Sequence, residues 1–504
     1  MESLSTRSGA YEQGEVRLPL RVWAQLQNAL QSEPMRATRC FLLCQTLEIE
    51  TRVILLAQEL VSLQEDDYAE RAAHRIVVRP ERVQALLSRC AQQGLALLEA
   101  DGYPQTHQEH GSNTSPENTV DQSALNTLST NPIRFGKIKF HTDRRFEGYL
   151  WDELTQQAMP ITRLKVMGIP YTIYYSGAGD SHDFADAQLA VYDRQVRAFG
   201  VEGQIILNQL RVALVGAGGL GSQVALALTH LGIGELVLID PDRLELSNLN
   251  RVVGALHAQA TMRLFKVDAL ARHLNRVRMP LEVPVTPLAV DARTEIALRA
   301  LLSADLIVGA VDSAVVRQYL NLVAVCGLIP YLDAGVGVRA ENGKLQQGGG
   351  QVQVVMPGQT ACLTCVGHLV NQSVLEQLTP DQRAMSVARG YVQGEAIPNP
   401  QVVFLNGVVA NLLVWELVKL CTGCHPVQPY VYYDLLRQQV SPVSADRHSD
   451  CFVCGDSGSL LATGCKGIAE FKVTAPRVSA KLPAPSSKKR ASIKMPKRSR
   501  KRKN

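Results

Sequence analysis

Gly216-Ala217-Gly218-Gly219-Leu220-Gly221 lies between a strand-like run, Arg211–Val215, and a helical stretch that continues through Leu231. Glycines in this context let the backbone approach a phosphate, and the helix that follows offers free N–H groups and the positive end of its dipole. A second apolar run ends at Asp240, 19 residues beyond Gly221, where a carboxylate is placed to bind ribose hydroxyls. These residues predict nucleotide binding and leave NAD and ATP both open.

The charged residues around the loop separate the two. Tyr192-Asp193-Arg194-Gln195 precedes it. Asp240-Pro241-Asp242 is followed by Ser247-Asn248-Leu249-Asn250-Arg251, then Lys266, and Asp312 follows the run Asp305–Val311. Hydride transfer has little use for two arginines, a lysine, an asparagine and a distant aspartate. Attack of a carboxylate on the α-phosphate of ATP needs cations around the developing charge and a carboxylate to hold Mg²⁺. Six of the 11 cysteines form three CxxC pairs, Cys362/Cys365, Cys421/Cys424 and Cys451/Cys454. In a chain too cysteine-poor for a disulfide scaffold, such pairs point to metal or redox chemistry.

The ordered set YDRQ, GAGGLGS, LIDPD, SNLNR, Lys266 and Asp312 resembles the ThiF/MoeB/HesA family, the ubiquitin-activating-enzyme-like adenylyltransferases, over about residues 185–460. The resemblance implies that Gly216, Gly218, Gly219 and Gly221 line the phosphates and that Asp240 and Asp242 belong to the nucleotide site. It implies that Asn248, Arg251 and Lys266 contact phosphates and that Asp312 holds Mg²⁺. Arg194 would reach across a homodimer to the partner's ATP. The stretch HAQATMRLFK before Lys266 lacks the glycine usual in the family. A structural Zn²⁺ is implied at Cys362, Cys365, Cys451 and Cys454, with Cys421/Cys424 as the competing pair. The crossover loop, 369–400, contains no cysteine, so thioester transfer from that position is not expected.

The implied reaction is ATP-dependent adenylation of the C-terminal glycine of a small ubiquitin-like or sulfur-carrier protein, with release of pyrophosphate. The alternative keeps the ATP site but activates a non-protein carboxylate, such as a modified tRNA base. A non-catalytic binding module and an NAD dehydrogenase fit the charged residues less well.

The elements that must position these residues follow from the patterning. From 185 to 470, strand runs alternate with helical stretches: 211–215, 235–240, a run near 281–285 and 305–309. This predicts an α/β domain with a Rossmann-like parallel sheet, helices on both faces and a zinc-bearing C-terminal part. The apolar stretch 402–418 is broken by Asn406, Asn411 and Glu416, so a buried helix is expected there and no membrane span.

Residues 1–178 read as a smaller α+β domain, with a helix over 18–30, strands over 39–47 and 52–60, a helix from Pro80 through Leu98, and strands over 135–175. This part faintly resembles a JAB-type metalloprotease. A working JAB site needs His-x-His-Pro followed by Ser-x-x-Asp. This chain has Asp101-Gly102-Tyr103-Pro104 and Ser115-Pro116-Glu117-Asn118, so the resemblance implies an inactive module that docks a ubiquitin-like tail. An unrelated α+β domain fits the same pattern. His107 and His110 lack a third ligand and read as solvated.

Overall, 46% of the 504 residues are apolar and 20% are charged, which excludes wholesale disorder. The net charge is +5, yet residues 471–504 hold 13 Lys or Arg and no acid, leaving −8 on the rest. That end is expected to be a disordered basic tail able to contact nucleic acid nonspecifically. The N-terminus lacks the apolar core of a signal peptide, so a cytoplasmic location is expected.

Overall fold

The computed structural model describes residues 11–456, apart from 32–35, 50, 74, 104–132, 142–144, 153–156, 177–185, 278–283 and 368–400. The basic run 471–504, His107, His110, Ser115–Asn118 and the crossover loop 369–400 therefore lie outside the described residues. Residues 1–472 form one compact unit.

The N-terminal part contains β1 (Gln13–Pro19), α1 (Leu20–Gln31), β2 (Thr38–Ile49), β3 (Arg52–Ser62), β4 (Tyr68–Arg71), β5 (Ile76–Val78), α2 (Pro80–Gln93), β6 (Ala96–Gly102), β7 (Phe135–Phe140), β8 (Phe146–Asp152), β9 (Gln157–Met167) and β10 (Thr172–Tyr175). The order β1-β3-β2-β6-β7-β8-β9 closes through a parallel β1–β9 pairing, so seven strands form a ring, with β10 beside β9. The run CFLLC in β2 is buried on both faces. Cys40, Leu42 and Cys44 pack with Val22 and Leu26 of α1, while Phe41 and Leu43 pack with Leu86, Leu87 and Cys90 of α2. That is the period-two alternation of a strand covered on both sides.

Two sequence boundaries shift. Leu18 belongs to β1, because residues 13–19 pair with β3 and β9, and helix α1 begins only at Leu20. Helix α2 stops at Gln93, where Gly94 turns left-handed at φ 66° and its N–H caps Cys90 O. Leu95 to Leu98 therefore lead into and form β6 instead of extending the helix.

The remainder contains α3 (Asp186–Gln209), β11 (Arg211–Val215), α4 (Gly219–Leu231), β12 (Glu235–Ile239), α5 (His257–Thr261), α6 (Lys266–Val277), β13 (Val285–Leu288), α7 (Glu295–Ser303), β14 (Leu306–Gly309), α8 (Ala314–Gly327), β15 (Tyr331–Glu341), β16 (Lys344–Val355), α9 (Val403–Thr422), β17 (Tyr430–Asp434) and β18 (Gln439–Pro442). The sheet order is β13-β12-β11-β14-β15-β16-β17-β18. The first five strands are parallel, and the last three add antiparallel pairs. Strand order reverses between β11 and β14, the position at which open α/β sheets form a ligand crevice. The strand expected near 281–285 is β13, which begins at Val285.

Helix α9 is long and apolar enough to cross a membrane by length and composition, but 61% of its most apolar window is buried inside the protein. It packs against α3, α4, β15 and β16 as a core helix.

The strand ring and the second sheet share a core: Ile49, Ile54, Leu56, Met167 and Tyr171 lie in the same apolar cluster as the strands of the parallel sheet. Buried charges fasten the join. Arg17 donates to Gly327 O at 2.7 Å and Leu302 O at 2.7 Å, near the C-terminal ends of α8 and α7. Its Nε lies 2.6 Å from Glu15. Lys165 lies 2.7 Å from both Glu15 and Asp305, and Arg163 lies 2.8 Å from Asp305. Burial alone would raise the Glu15 carboxyl, but Lys165, Arg17 and Arg163 bring it down to about 2. Burial pulls Lys165 down to about 8 despite its two carboxylate neighbours. The attraction within such a buried network is largely offset by the cost of removing its charges from water.

Candidate nucleotide-binding and metal sites

Each glycine of the loop has its own steric reason. Gly216 has φ 97°, and a Cβ there would lie 2.5 Å from Ala310 O on the adjacent strand connection. A Cβ on Gly221 would lie 1.8 Å from Gly216 O, so the helix can start against the loop only without a side chain. A Cβ on Gly219 would meet Asn406 Nδ2 at 2.3 Å and Arg251 Cγ and Cδ at 3.2 Å. At Gly218, the N-cap of α4, a Cβ would meet nothing within 4 Å and no side chain caps the helix. The loop is thus closed on three sides and open at Gly218, beside N–H groups that favour an anion.

These differences give a test within one loop. Gly221→Ala should lower the melting temperature and abolish nucleotide binding, because backbone must move. Gly218→Ala should melt like the wild type and bind ATP at least tenfold more weakly, as read by calorimetry. Undiminished ATP affinity in Gly218→Ala would show that phosphates do not occupy the open space.

Asp240 is 7% exposed and follows β12 directly. One of its oxygens accepts from Ala217 N at 2.7 Å and the other from Asp242 N at 2.8 Å, so it ties the glycine loop to the neighbouring strand end. Burial pushes its carboxyl up, against the N–H of Ala217 and the charge of Lys266. Asp242 is exposed and pairs with Lys266 Nζ at 2.7 Å. Lys266 is the first residue of α6, and its backbone N–H is bonded to Asp242 O. Within the stretch HAQATMRLFK, Arg263 takes a left-handed φ of 50°, a conformation glycine adopts more readily, three residues ahead of Lys266.

Asn248 is buried and ends the short 3₁₀ turn Leu246–Asn248, accepting from Glu245 N at 3.0 Å. Arg251 lies along Gly219 and donates to Gln401 Oε1 at 3.0 Å and Ser247 O at 2.8 Å. Asp312 is exposed just beyond β14 and has no polar partner among the described residues. It is not the cap of α8; Ser313 is, accepting from Val316 N. The structure therefore brings the glycines, Asp240, Asp242, Asn248, Arg251, Lys266 and Asp312 to the carboxyl ends of β11, β12 and β14.

Arg194 is elsewhere. It is exposed on α3. Gln195 Nε2 donates to His230 O at 2.9 Å, and Tyr192 packs on Gly232, both at the C-terminal end of α4. The glycine loop is at the other end of α4, about 17 Å away at 1.5 Å per residue. That is farther than an arginine side chain reaches.

The Sγ atoms of Cys362, Cys365, Cys451 and Cys454 all lie within 4.8 Å of one another. Three of the separations are 3.9, 3.8 and 3.4 Å. A tetrahedron with metal–sulfur bonds of about 2.3 Å has edges of about 3.8 Å, so four thiolates fit one metal ion. Three of the cysteines are buried, and Gly455 allows the turn, since a Cβ there would lie 2.4 Å from Cys451 O. Cys421 and Cys424 stand apart from this group. Cys421 is buried at the end of α9, where burial pushes its thiol up.

Two residues at the loop were not singled out as site residues from the sequence, Asn406 and Gln401. The available signal was an asparagine interrupting an otherwise apolar helix.

The model of the ThiF family matches residues 192–453. The chain is 29% identical over 280 residues to the molybdopterin-synthase adenylyltransferase of Escherichia coli (strain K12), covering 54% of this chain and 99% of that protein. It is 26% identical over 250 residues to ubiquitin-like modifier-activating enzyme 5 of Drosophila mojavensis, covering 48% of this chain and 57% of that protein. Among solved structures it is similar to E. coli MccB with ATP, at 22% identity and a TM-score of 0.42, over 53% of this chain and 75% of that one. The family match spans more than half of the chain, from Tyr192 ahead of the glycine loop to Val453 between Cys451 and Cys454, and the chain belongs to the ThiF family.

Proposed function

We propose that the protein uses ATP to adenylate the C-terminal glycine of a small ubiquitin-like or sulfur-carrier protein, releasing pyrophosphate. The observation that carries this reading is the convergence of Asp242, Asn248, Arg251, Lys266 and Asp312 on a glycine loop that is open at Gly218. The names of the relatives, an adenylyltransferase and a ubiquitin-like modifier-activating enzyme, support the same reaction class.

In that reaction an acceptor carboxylate oxygen forms a bond to the α-phosphorus. The bond from that phosphorus to the bridging oxygen breaks, its electron pair leaves with pyrophosphate, and no proton is transferred. Gly216, Gly218, Gly219 and Gly221 let the phosphates approach the N-terminus of α4. Asp240 holds the loop and, with Asp242, faces the ribose. Asn248, Arg251 and Lys266 contact the phosphates, where fixed cations favour the transition state over the ground state. Asp312 would hold Mg²⁺, which when bound would supply positive charge for the leaving pyrophosphate. Arg194, too far from its own loop, serves the site of a second copy, so the active unit is a homodimer. Cys362, Cys365, Cys451 and Cys454 would hold a structural Zn²⁺, which when bound would tie the segment after β16 to the segment after β18.

We assign the N-terminal part no catalysis. Asp101, where the JAB resemblance calls for a histidine ligand, is buried 2.7 Å from Arg39 and 3.0 Å from Lys137. Burial would raise its carboxyl, but Arg39 and Lys137 hold it below the usual range. The module is a rigid docking surface for the acceptor.

The test is pyrophosphate–ATP exchange with small proteins ending in glycine. Exchange should require the acceptor's free terminal carboxylate and vanish when that carboxylate is amidated. Tighter binding of NAD than of Mg·ATP would end the adenylation reading.

A further inference from the structure

Asn406 sits in the first turn of α9 and is 0% exposed, yet neither its Oδ1 nor its Nδ2 has a hydrogen-bond partner among the described residues. Other polar groups on the same helix are satisfied. Glu416 accepts from Lys419 Nζ at 2.7 Å and Gln428 N at 2.9 Å, and Thr422 donates to Val418 O at 2.7 Å. A buried unpaired amide is costly, and the rest of this helix face is Leu405, Val409, Ala410 and Leu413. A leucine at 406 would remove the cost.

The amide is aimed at the glycine loop. Its Nδ2 lies 2.3 Å from where a Cβ of Gly219 would stand, at the N-terminus of the 13-residue helix α4. The stem of Arg251 crowds the same point at 3.2 Å. A phosphate offers only acceptors and would leave Oδ1 unpaired. A peptide unit offers one donor and one acceptor and matches both ends of the amide.

We propose that Asn406 is a substrate-binding residue that pairs with the last peptide unit of the acceptor, next to the carboxylate to be adenylated. This rests on the adenylation reading. A terminal glycine suits the position, because Gly219 and Asn406 already meet too closely for side chains on both partners. Full burial means that a neighbour must shift to admit the tail. Arg251 is that neighbour, since it is only half-buried and its free end is held by hydrogen bonds to Gln401, Ser247 and Asn250.

The test uses the full chain, a non-hydrolysable ATP analogue and an octapeptide ending in Gly-Gly as probe. Calorimetry should show wild-type protein binding both. Asn406→Leu, which keeps the branched shape but removes the unpaired atoms, should melt at an equal or higher temperature. It should bind the analogue unchanged and the peptide at least tenfold more weakly. Asn406→Asp, which keeps the size and removes the donors, should lose peptide binding similarly, and it decides the matter where the leucine variant misfolds. A wild-type protein that binds no ATP analogue would reject the adenylation reading itself. ATP binding with a peptide affinity indifferent to both variants, or no peptide binding by the wild type, would overturn only the role of Asn406.

Discussion

Mixing inactive Arg194→Ala protein with inactive Asp312→Ala protein should restore about a quarter of wild-type pyrophosphate exchange. Random reassortment of a symmetric dimer makes half of the molecules heterodimers, each with one complete site. The structural basis is the position of Arg194. Gln195 and Tyr192 hold that part of α3 at His230 and Gly232, while the glycine loop is at the opposite end of α4. Alone, Arg194→Ala should lower turnover about 10³-fold, the low end for a trans-acting arginine, because Lys266 and Arg251 share the charge. ATP affinity should change far less, since a cation over the leaving group acts mainly in the transition state. No recovery after verified subunit exchange would place Arg194 outside the partner's site.

Cys451→Ser should reduce bound zinc from one ion per chain to none and lower the melting temperature sharply. Structural zinc sites in small peptides contribute on the order of 10 kcal/mol. Here the surrounding core remains, so the loss should concentrate in the segments after β16 and β18 and read as raised protease sensitivity near 362–366 and 447–455. Cys421→Ser should keep its zinc, because Cys421 lies apart from the four clustered sulfurs. The reverse pattern, zinc kept in Cys451→Ser and lost in Cys421→Ser, would show that the pairs are wrongly matched.

The nucleotide loop was legible because its requirements are local. The spacing of Gly216 to Gly221 and the run to Asp240 follow from chain geometry within one βαβ unit, and the structure sets them as the spacing requires. The four cysteines were legible as two pairs, since each CxxC is a local turn, although their meeting joins residues 89 apart. Boundaries failed where a short-range signal was outweighed. Leu95 to Leu98 continue a helical pattern, but the left-handed Gly94 ends the helix before them.

The join between the halves was illegible. Arg17 binds carbonyls 285 and 310 residues away, and no local pattern announces a buried arginine. Asn406 was visible only as a break in an apolar run. Its nearness to Gly219 depends on α9 packing against α4, which no spacing encodes.

The central claim is that the α-phosphorus of ATP is the atom attacked. The most direct measurement follows label from ATP marked at the α- or the γ-phosphate, with an acceptor protein ending in glycine. The α-label should appear on the acceptor as an acyl-adenylate, a mixed anhydride that hydroxylamine cleaves, while the γ-label leaves wholly as pyrophosphate. Transfer of the γ-label to the acceptor, or release of orthophosphate with no AMP formed, would contradict it.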